Sequence, residues 1–355
     1  MMPGLLEVSQ AINRQRRSLA ESIVSRQYEL QPELWNRFGE AGWHKSVRDA
    51  EYHLSYLAEA LSASDPLLFA DYIAWAKVLF AGLKFPDDAL KATLECTGSA
   101  LKGSLPGNMW PIVEEYIMAG IDQLDQAPAV LPTFMDDDAP LADLAREYLR
   151  ALLNGERRAA SDLIMDAVEG GTSIKDIYIH VFQRSQHEVG RLWQTNQLSV
   201  AQEHYCTAAT QLIMSQLYPL IFATDRIGRR LVATCVGGEL HEIGIRMVAD
   251  FFELAGWDTY YVGANMPAES ILKALSDRHA DVLAISATMT FHISKVADLI
   301  SRVRSSAGLK DVKILVGGYP FNASPDLWHK IGADGYARDA SEAVAVASRL
   351  LDGGA

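Results

Sequence analysis

The sequence predicts a multidomain protein of class α and α/β, in which two helical domains precede a doubly wound parallel sheet. Apolar residues recur at three- and four-residue spacing up to about residue 125, which is typical of amphipathic helices. Short turns separate four helical stretches between about residues 140 and 225, which indicates an antiparallel bundle. After residue 229, apolar runs alternate with amphipathic helices, which predicts a parallel sheet covered on both faces.

The domain boundaries follow from changes in composition. We expect an all-helical, globin-like domain over residues 1–125 and a linker rich in Pro and Asp over 126–139. The four-helix bundle is expected over 140–226 and the sheet domain over 227–355. In the sheet domain the runs RLVATCVGG, DVLAISAT and VKILVGG indicate strands buried on both faces. This pattern fits a flavodoxin-like (Rossmann-like) domain, whose ligands bind outside the carboxyl ends of the strands.

Composition and charge exclude several classes of function. The formal net charge is −13, so the chain repels nucleic-acid backbones, and Arg14, Arg16 and Arg17 are expected to form a solvated helix face. No apolar run is long enough for a transmembrane helix, and the N-terminus lacks the pattern of a secretory signal. The three cysteines are widely spaced and are expected to be reduced. We therefore expect a cytoplasmic protein that contacts neither nucleic acid nor membrane.

The loop after the first strand carries the strongest functional signal. It consists of consecutive residues with two glycines, two carboxylates and one histidine, namely Gly237, Gly238, Glu239, Leu240, His241, Glu242, Ile243 and Gly244. The glycines allow a sharp turn, and Glu239 is placed to accept a hydrogen bond from the far ring nitrogen of His241. The alternative is a helix-capping loop with an incidental histidine.

Glu239-x-His241-x-x-Gly244 resembles the D/E-x-H-x-x-G motif of cobalamin-binding domains. The resemblance implies that His241 binds cobalt from below and that the tail of the cofactor enters the sheet domain. Family positions at the ends of the third and fourth strands match residues that are small or follow a glycine pair, namely Ser286, Thr288, Gly317, Gly318 and Tyr319. The sequence therefore predicts cobalamin as a cofactor.

The bundle carries a second resemblance. Trp193, nine residues and then Glu203-His204 form a W-x9-E-H pattern that resembles the light-sensing domain of the CarH and LitR regulators. The resemblance implies that Trp193 and Glu203 surround the adenosyl group of adenosylcobalamin. Where the family has a histidine that binds cobalt after illumination, this chain has Gln194. Another histidine or water is left open as the upper ligand, with His180, His187 and His204 nearby in the sequence.

The N-terminal domain resembles the helical biliverdin-binding domain of the photocobilins, mainly in architecture. Flat rings with polar handles suit a bilin, and the candidates are His44, Tyr52, His53, Tyr56 and Trp75. Nearby arginines, Arg48 among them, are candidate partners for the bilin propionates. The alternatives are an aromatic helical core in a plain interaction domain, and a haem bound through His53.

From these resemblances we expect a light sensor that does not turn over a substrate. Loss of the adenosyl group is expected to shift the bundle against the sheet domain and to change the state of a homo-oligomer that signals to a downstream protein. The alternative is a corrinoid protein that carries methyl groups between methyltransferases. A third alternative, a mutase, could apply only as a detached subunit, because the chain lacks room for the barrel that encloses radical intermediates.

Overall fold

The computed structural model describes residues 4–353, which divide into two compact units. The first unit contains residues 4–129 together with Ala287–Asp298 and Tyr319–Ile331. The second unit contains Val130–Ser286, Leu299–Gly318 and residues 332–353. Each unit is therefore assembled from separate pieces of the chain. The predicted boundaries between consecutive domains remain a prediction.

The N-terminal part of the first unit is helical. Its helices are α1 Leu5–Arg14, α2 Arg16–Leu30, α3 Pro32–Trp35, α4 Gly39–Ser62, α5 Pro66–Gly82, α6 Ala89–Ser104 and α7 Trp110–Gln126, with a 3-10 turn at Asn36–Phe38. Helix α5 begins with a capping side chain and a proline. The Asp65 side chain accepts from the Leu67 N–H at 3.0 Å, and Pro66 occupies the first helical position, where no N–H is needed.

The bundle of the second unit is formed by consecutive helices with short connections. They are α8 Ala142–Leu153, α9 Arg157–Glu169, α10 Ile174–Asp176, α11 Arg184–Gln194, α12 Val200–Gln216 and α13 Tyr218–Ile221, and the π-helical turn Ile177–Gln183 joins α10 to α11. Aromatic side chains fill the core, where Tyr148, Tyr178 and Phe182 are fully buried. Helix α12 begins with a capping box between Ser199 and Gln202.

The C-terminal strands form one parallel sheet in the order β2-β1-β3-β4-β5, so the predicted flavodoxin-like fold class is confirmed. The strands are β1 Arg230–Val236, β2 Asp258–Met266, β3 Val282–Ser286, β4 Lys313–Gly317 and β5 Gly335–Tyr336. The helices that follow them are α14 Ile243–Leu254, α15 Ala268–Arg278, α16 Ile293–Ser305, α17 Tyr319–Ala323, α18 Leu327–Lys330 and α19 Ala340–Leu351.

The register of the sheet brings the carboxyl ends of three strands together. Cys235 of β1 pairs with Ser286 of β3, and Ser286 pairs with Gly317 of β4. All of β1 except its first residue is buried, as expected for a central parallel strand. Among the described residues, no helix combines the length and apolar character needed to cross a membrane.

A buried carboxylate connects α4 with the first turn of α16 in the first unit. Glu59 is 6% exposed and accepts hydrogen bonds from the side chain and the backbone N–H of Ser294. Burial raises the pKa of Glu59 to about 7, although Ser294 and Lys295 act in the opposite direction. At neutral pH this carboxyl group is therefore near its titration midpoint.

We expect Glu59→Gln to flatten the pH dependence of folding. Between pH 4.5 and 7 the folded protein keeps the Glu59 proton that the unfolded chain has lost, so the free energy of unfolding falls as pH rises. This loss amounts to about 2 kcal/mol between pH 5 and 7.5 and should be absent in the variant. Urea unfolding at both pH values measures it, with the exposed Glu40→Gln as control. Equal pH dependence in wild type and Glu59→Gln would contradict the assignment.

Candidate functional site

The loop after β1 is held by its own backbone and by β2. Gly238 has a φ of +90°, a conformation that favours glycine, and its N–H donates to the Asn265 side chain at 2.7 Å. The Asn265 N–H donates in turn to the carbonyl oxygen of Glu239 at 2.9 Å. The loop is therefore fixed before α14 begins at Ile243.

Glu239 and His241 form the centre of the site. The Glu239 side chain is fully buried, and its Oε1 lies 2.6 Å from His241 Nδ1 and accepts the His241 backbone N–H at 3.1 Å. The His241 side chain is 57% exposed. The hydrogen bond that the His241 ring donates to Glu239 raises the pKa of His241, and Glu203 adds a smaller electrostatic contribution. A carboxylate at Nδ1 keeps the proton there and leaves the Nε2 lone pair for a metal.

Glu242, the next residue, joins this loop to two other elements. Its Oε1 accepts from Gln211 of α12 at 2.8 Å, and its Oε2 accepts from the Tyr261 hydroxyl of β2 at 3.2 Å. Glu242 is also the residue that immediately precedes α14. The bundle therefore bonds directly to the residue beside His241.

Further along α14, two more polar residues bond to the bundle. Arg246 donates to Ser215 of α12 at 2.6 Å, and Asp250 accepts from the Tyr178 hydroxyl at 2.7 Å. Burial raises the pKa of Asp250 to about 6. Glu242, Arg246 and Asp250 recur every four residues, so they lie along one face of α14. We call this set of contacts the polar ladder.

The residues of the W-x9-E-H pattern have local partners in the bundle. Glu203 accepts from Thr207 at 3.0 Å and contacts His204, whose side chain is 74% exposed. Trp193 is half-buried, whereas Gln194 is 5% exposed. The nine residues between Trp193 and Glu203 contain the end of α11, a left-handed turn at Asn196 and the capping box of α12. The nine-residue spacing therefore corresponds to the connection between α11 and α12.

The residues at the ends of β3 and β4 have small side chains or none. Ser286 and Gly317 are register partners, and a Cβ added at Gly317 would lie 2.8 Å from the Ala337 carbonyl oxygen. Gly318 has a φ of +100°. A Cβ added at Gly244 would meet nothing within 4 Å, so the surface beside the His241 loop is open. This edge offers bare backbone to a large ligand.

The donor set suits a cofactor that brings its own metal. Within residues 4–353 no group of three or more His, Cys, Asp or Glu side chains is arranged to hold a metal ion. The site instead presents one oriented imidazole, His241, beside open space and bare backbone.

Comparison with known proteins decides the family. A family profile described as B12 binding domain matches residues 229–345, and a second of the same description matches residues 144–218. Dimethylamine corrinoid protein 3 of Methanosarcina mazei is 34% identical over 140 residues, which are 39% of this chain and 81% of that protein. The chain belongs to the B12-binding corrinoid proteins. Its affinity for a B12-type cofactor, predicted from the His241 loop, is thereby supported.

Two further comparisons extend over more of this corrinoid protein. Dimethylamine corrinoid protein 1 of Methanosarcina acetivorans is 29% identical over 214 residues, which are 58% of this chain and 98% of that protein. The solved structure of the Methanosarcina barkeri monomethylamine corrinoid protein is similar in fold, with a TM-score of 0.53 at 24% identity, covering 59% of this chain and all of that chain. Residues 4–129 lie outside both matched profile ranges.

The predicted light sensor of the CarH and LitR type is wrong. The relatives that match this chain are named as dimethylamine corrinoid proteins. The W-x9-E-H pattern suggested light sensing, but its nine-residue spacing spans the end of α11 and the capping box of α12. Glu203 contacts Thr207 and His204 of its own helix and acts electrostatically on His241.

Two predicted cofactor residues of this corrinoid protein lie in the first unit. Thr288 belongs to Ala287–Asp298, and Tyr319 belongs to Tyr319–Ile331. The Tyr319 hydroxyl donates to Asp71 of α5 at 2.9 Å. The other predicted residues of the sheet domain, from Gly237 to Gly244 and at the ends of β3 and β4, lie in the second unit.

The residues predicted for a bilin do not form one open site. His53 is 7% exposed, its Nδ1 lies 2.8 Å from the Tyr72 hydroxyl, and burial lowers its pKa to about 4. Tyr56 stacks on Tyr72 with ring centres 3.6 Å apart, and Trp75 stacks on the same ring at 6.1 Å. Tyr52 is 46% exposed, and His44 is exposed beside Glu40. His53 and Tyr56 therefore pack in the helical core.

Sequence reasoning missed the residues that support the His241 loop from a distance. They are Gln211, Tyr261 and Asn265, together with Tyr178, Ser215, Arg246 and Asp250 of the polar ladder. One signal was present, because Glu242, Arg246 and Asp250 repeat every four residues at and along a helix that is mostly apolar. The contacts of Asn265 and Tyr261 depend on sheet register and leave no such signal.

We expect Glu239→Gln to lower the pKa of His241 in the cofactor-free protein. The carboxylate stabilises the imidazolium, and an amide removes that charge while keeping the size of the side chain. Titration of the His241 ring by NMR measures the change. Glu203→Gln is the matched control and should lower the pKa less, since Glu203 acts only by a weaker electrostatic effect. An equal or larger decrease in the control would contradict the proposed order.

Proposed function

We propose that this protein carries a methyl group on cobalamin within a methyl-transfer system. The observation that carries the proposal is the exposed imidazole of His241, oriented by the fully buried carboxylate of Glu239. The names of its relatives, dimethylamine corrinoid proteins, support the same function.

In this proposal the second unit holds the cofactor through the carboxyl edge of its sheet and through the bundle. His241 would bind cobalt through Nε2, and the residues that would border the cofactor are Trp193, Glu203, His204, Gly237, Gly238, Glu239, Glu242, Ile243, Gly244, Ser286, Gly317 and Gly318. Thr288 and Tyr319, which the sequence also predicts, belong to the first unit. When bound, cobalamin supplies a cobalt centre on which a methyl group travels from donor to acceptor.

Glu239 controls the charge and position of the metal ligand. It holds a proton at His241 Nδ1, so Nε2 keeps its lone pair, and its negative charge compensates positive charge on the ring. Its burial excludes water from that hydrogen bond, which strengthens it. Glu242, held by Gln211 and Tyr261, keeps the backbone beside His241 in place.

Helices α11 and α12 of the bundle supply polar groups near the proposed cofactor site, which a methyltransferase partner would approach. Glu203 and the exposed His204 lie at the start of α12, and desolvation lowers the pKa of His187 in α11. In this proposal a separate methyltransferase subunit supplies the catalytic groups, and the corrinoid protein presents the methyl group to it. A bilin has no part in the proposed function, because His53 and Tyr56 have protein partners in the core.

We expect His241→Ala to lose the imidazole-coordinated spectrum of bound hydroxocobalamin and to weaken its binding at least about tenfold. Absorption titration of hydroxocobalamin measures both effects. His279→Asn is the control and should behave as wild type, because His279 is exposed after α15 and asparagine tolerates its left-handed backbone. An unchanged spectrum in His241→Ala would exclude this residue as the cobalt ligand.

A methyl carrier should retain methylcobalamin and leave its upper face open to a methyl donor. We expect gel-filtered protein to keep methylcobalamin better than adenosylcobalamin, because a carrier needs no adenosyl pocket. We also expect bound hydroxocobalamin, after chemical reduction, to be converted by methyl iodide to protein-bound methylcobalamin. Preferential retention of adenosylcobalamin, or a bound cofactor that methyl iodide does not methylate, would count against the proposal.

A further inference from the structure

Two segments of the sheet domain pack with the N-terminal helices. We call them the β3 segment, Ala287–Asp298, and the β4 segment, Tyr319–Ile331, because they follow Ser286 at the end of β3 and Gly318 just after β4. Both belong to the first unit with residues 4–129. The residues immediately before them, Ser286, Gly317 and Gly318, are predicted to border the cofactor.

The β3 segment is held by α4 through aromatic packing and one carboxylate. Phe291 lies against Tyr52 and edge-on to Tyr56, with ring centres 6.0 and 5.3 Å away. The Tyr56 hydroxyl reaches Met289 Sδ at 3.8 Å. Glu59, one turn further along α4, accepts hydrogen bonds from Ser294. These contacts cover both the turn after β3 and the first turn of α16.

The β4 segment is held by the turn between α4 and α5 and by α5 itself. Ser324 donates to Asp65 at 2.5 Å, and Tyr319 donates to Asp71 at 2.9 Å. Lys330 donates to the carbonyl oxygens of Ala63 and Ser64, each at 3.3 Å. Asp65 thus serves two elements, since it also caps the start of α5.

We propose that α4 and α5 are a positioning device, which holds the β3 and β4 segments, and through the continuous backbone the strand ends Ser286 and Gly318, in a fixed conformation before cobalamin binds. The proposal rests on the proposed cofactor site at the strand ends. A loop that is disordered before binding must be ordered by the ligand, and this cost weakens affinity. Contacts that order both segments in the cofactor-free protein remove that cost.

This role differs from direct contact with the cofactor. Phe291 and the hydroxyl of Tyr319 are engaged with Tyr52, Tyr56 and Asp71, so they act on the cofactor through the backbone of their segments. The N-terminal region then sets how tightly the corrinoid protein keeps its cofactor. A change in α4 or α5 alters retention without altering His241.

The test uses the full chain with Phe291→Ala and Tyr319→Phe combined. Tyr28→Phe with Phe38→Ala is the matched control, because these residues belong to the same unit and pack on Trp35, Trp43 and Phe85. Hydrogen exchange of the cofactor-free protein reports the order of both segments. Equilibrium titration with hydroxocobalamin reports affinity, and Tyr319→Phe alone is a milder variant in case the double variant folds poorly.

We expect faster exchange in the β3 and β4 segments, unchanged exchange in β1, and binding of hydroxocobalamin weakened about tenfold, as expected for one lost hydrogen bond and one lost aromatic contact. Tyr319→Phe alone should give a smaller change in the same direction, and the control should stay within about twofold of wild type. Unchanged exchange in the segments, or faster exchange with unchanged affinity, would overturn the inference. Failure of the wild type to bind hydroxocobalamin would instead overturn the proposed function.

Discussion

A single buried carboxylate, Glu239, is the interaction on which the rest of the cofactor site depends. Burial of an isolated charge is strongly unfavourable, so the side chain is stable only with partners that compensate it. Here the compensation comes from the backbone N–H and the ring of His241, which forces the loop to fold back within two residues. The left-handed Gly238 and the bonds through Asn265 make that fold possible. The same arrangement leaves the other ring nitrogen for cobalt.

The bundle and the α14 helix are joined by two kinds of contact with different consequences. Met247 and Phe251 of α14 belong to the same apolar core as the bundle helices, and this burial supplies most of the stability. The polar ladder runs along a neighbouring face, from Glu242 to Asp250, and its hydrogen bonds add geometry more than energy. Since the ladder begins beside His241, the position of the metal ligand and the packing of the bundle are mechanically linked.

The sheet domain was readable from sequence because its determinants are local. Apolar runs identify the strands, and the loop that holds Glu239 and His241 spans a few residues. The W-x9-E-H pattern led to a wrong prediction of light sensing because it is also local. A helix end, the left-handed Asn196 and a capping box set its spacing independently of any ligand. Contacts such as Tyr56 with Phe291, or Tyr319 with Asp71, join distant parts of the chain and follow from no local pattern.

The discontinuous first unit has a consequence for how the chain folds during synthesis. Tyr56 is separated from Met289 by 233 positions, and Asp71 from Tyr319 by 248. The N-terminal helices leave the ribosome before the sheet domain, yet they cannot complete their packing until the chain has emerged as far as Ile331. Contacts of such long range form slowly, and surfaces that await them are exposed to aggregation in the interval. The N-terminal helices therefore finish packing only after the β3 and β4 segments of the sheet domain have been synthesised.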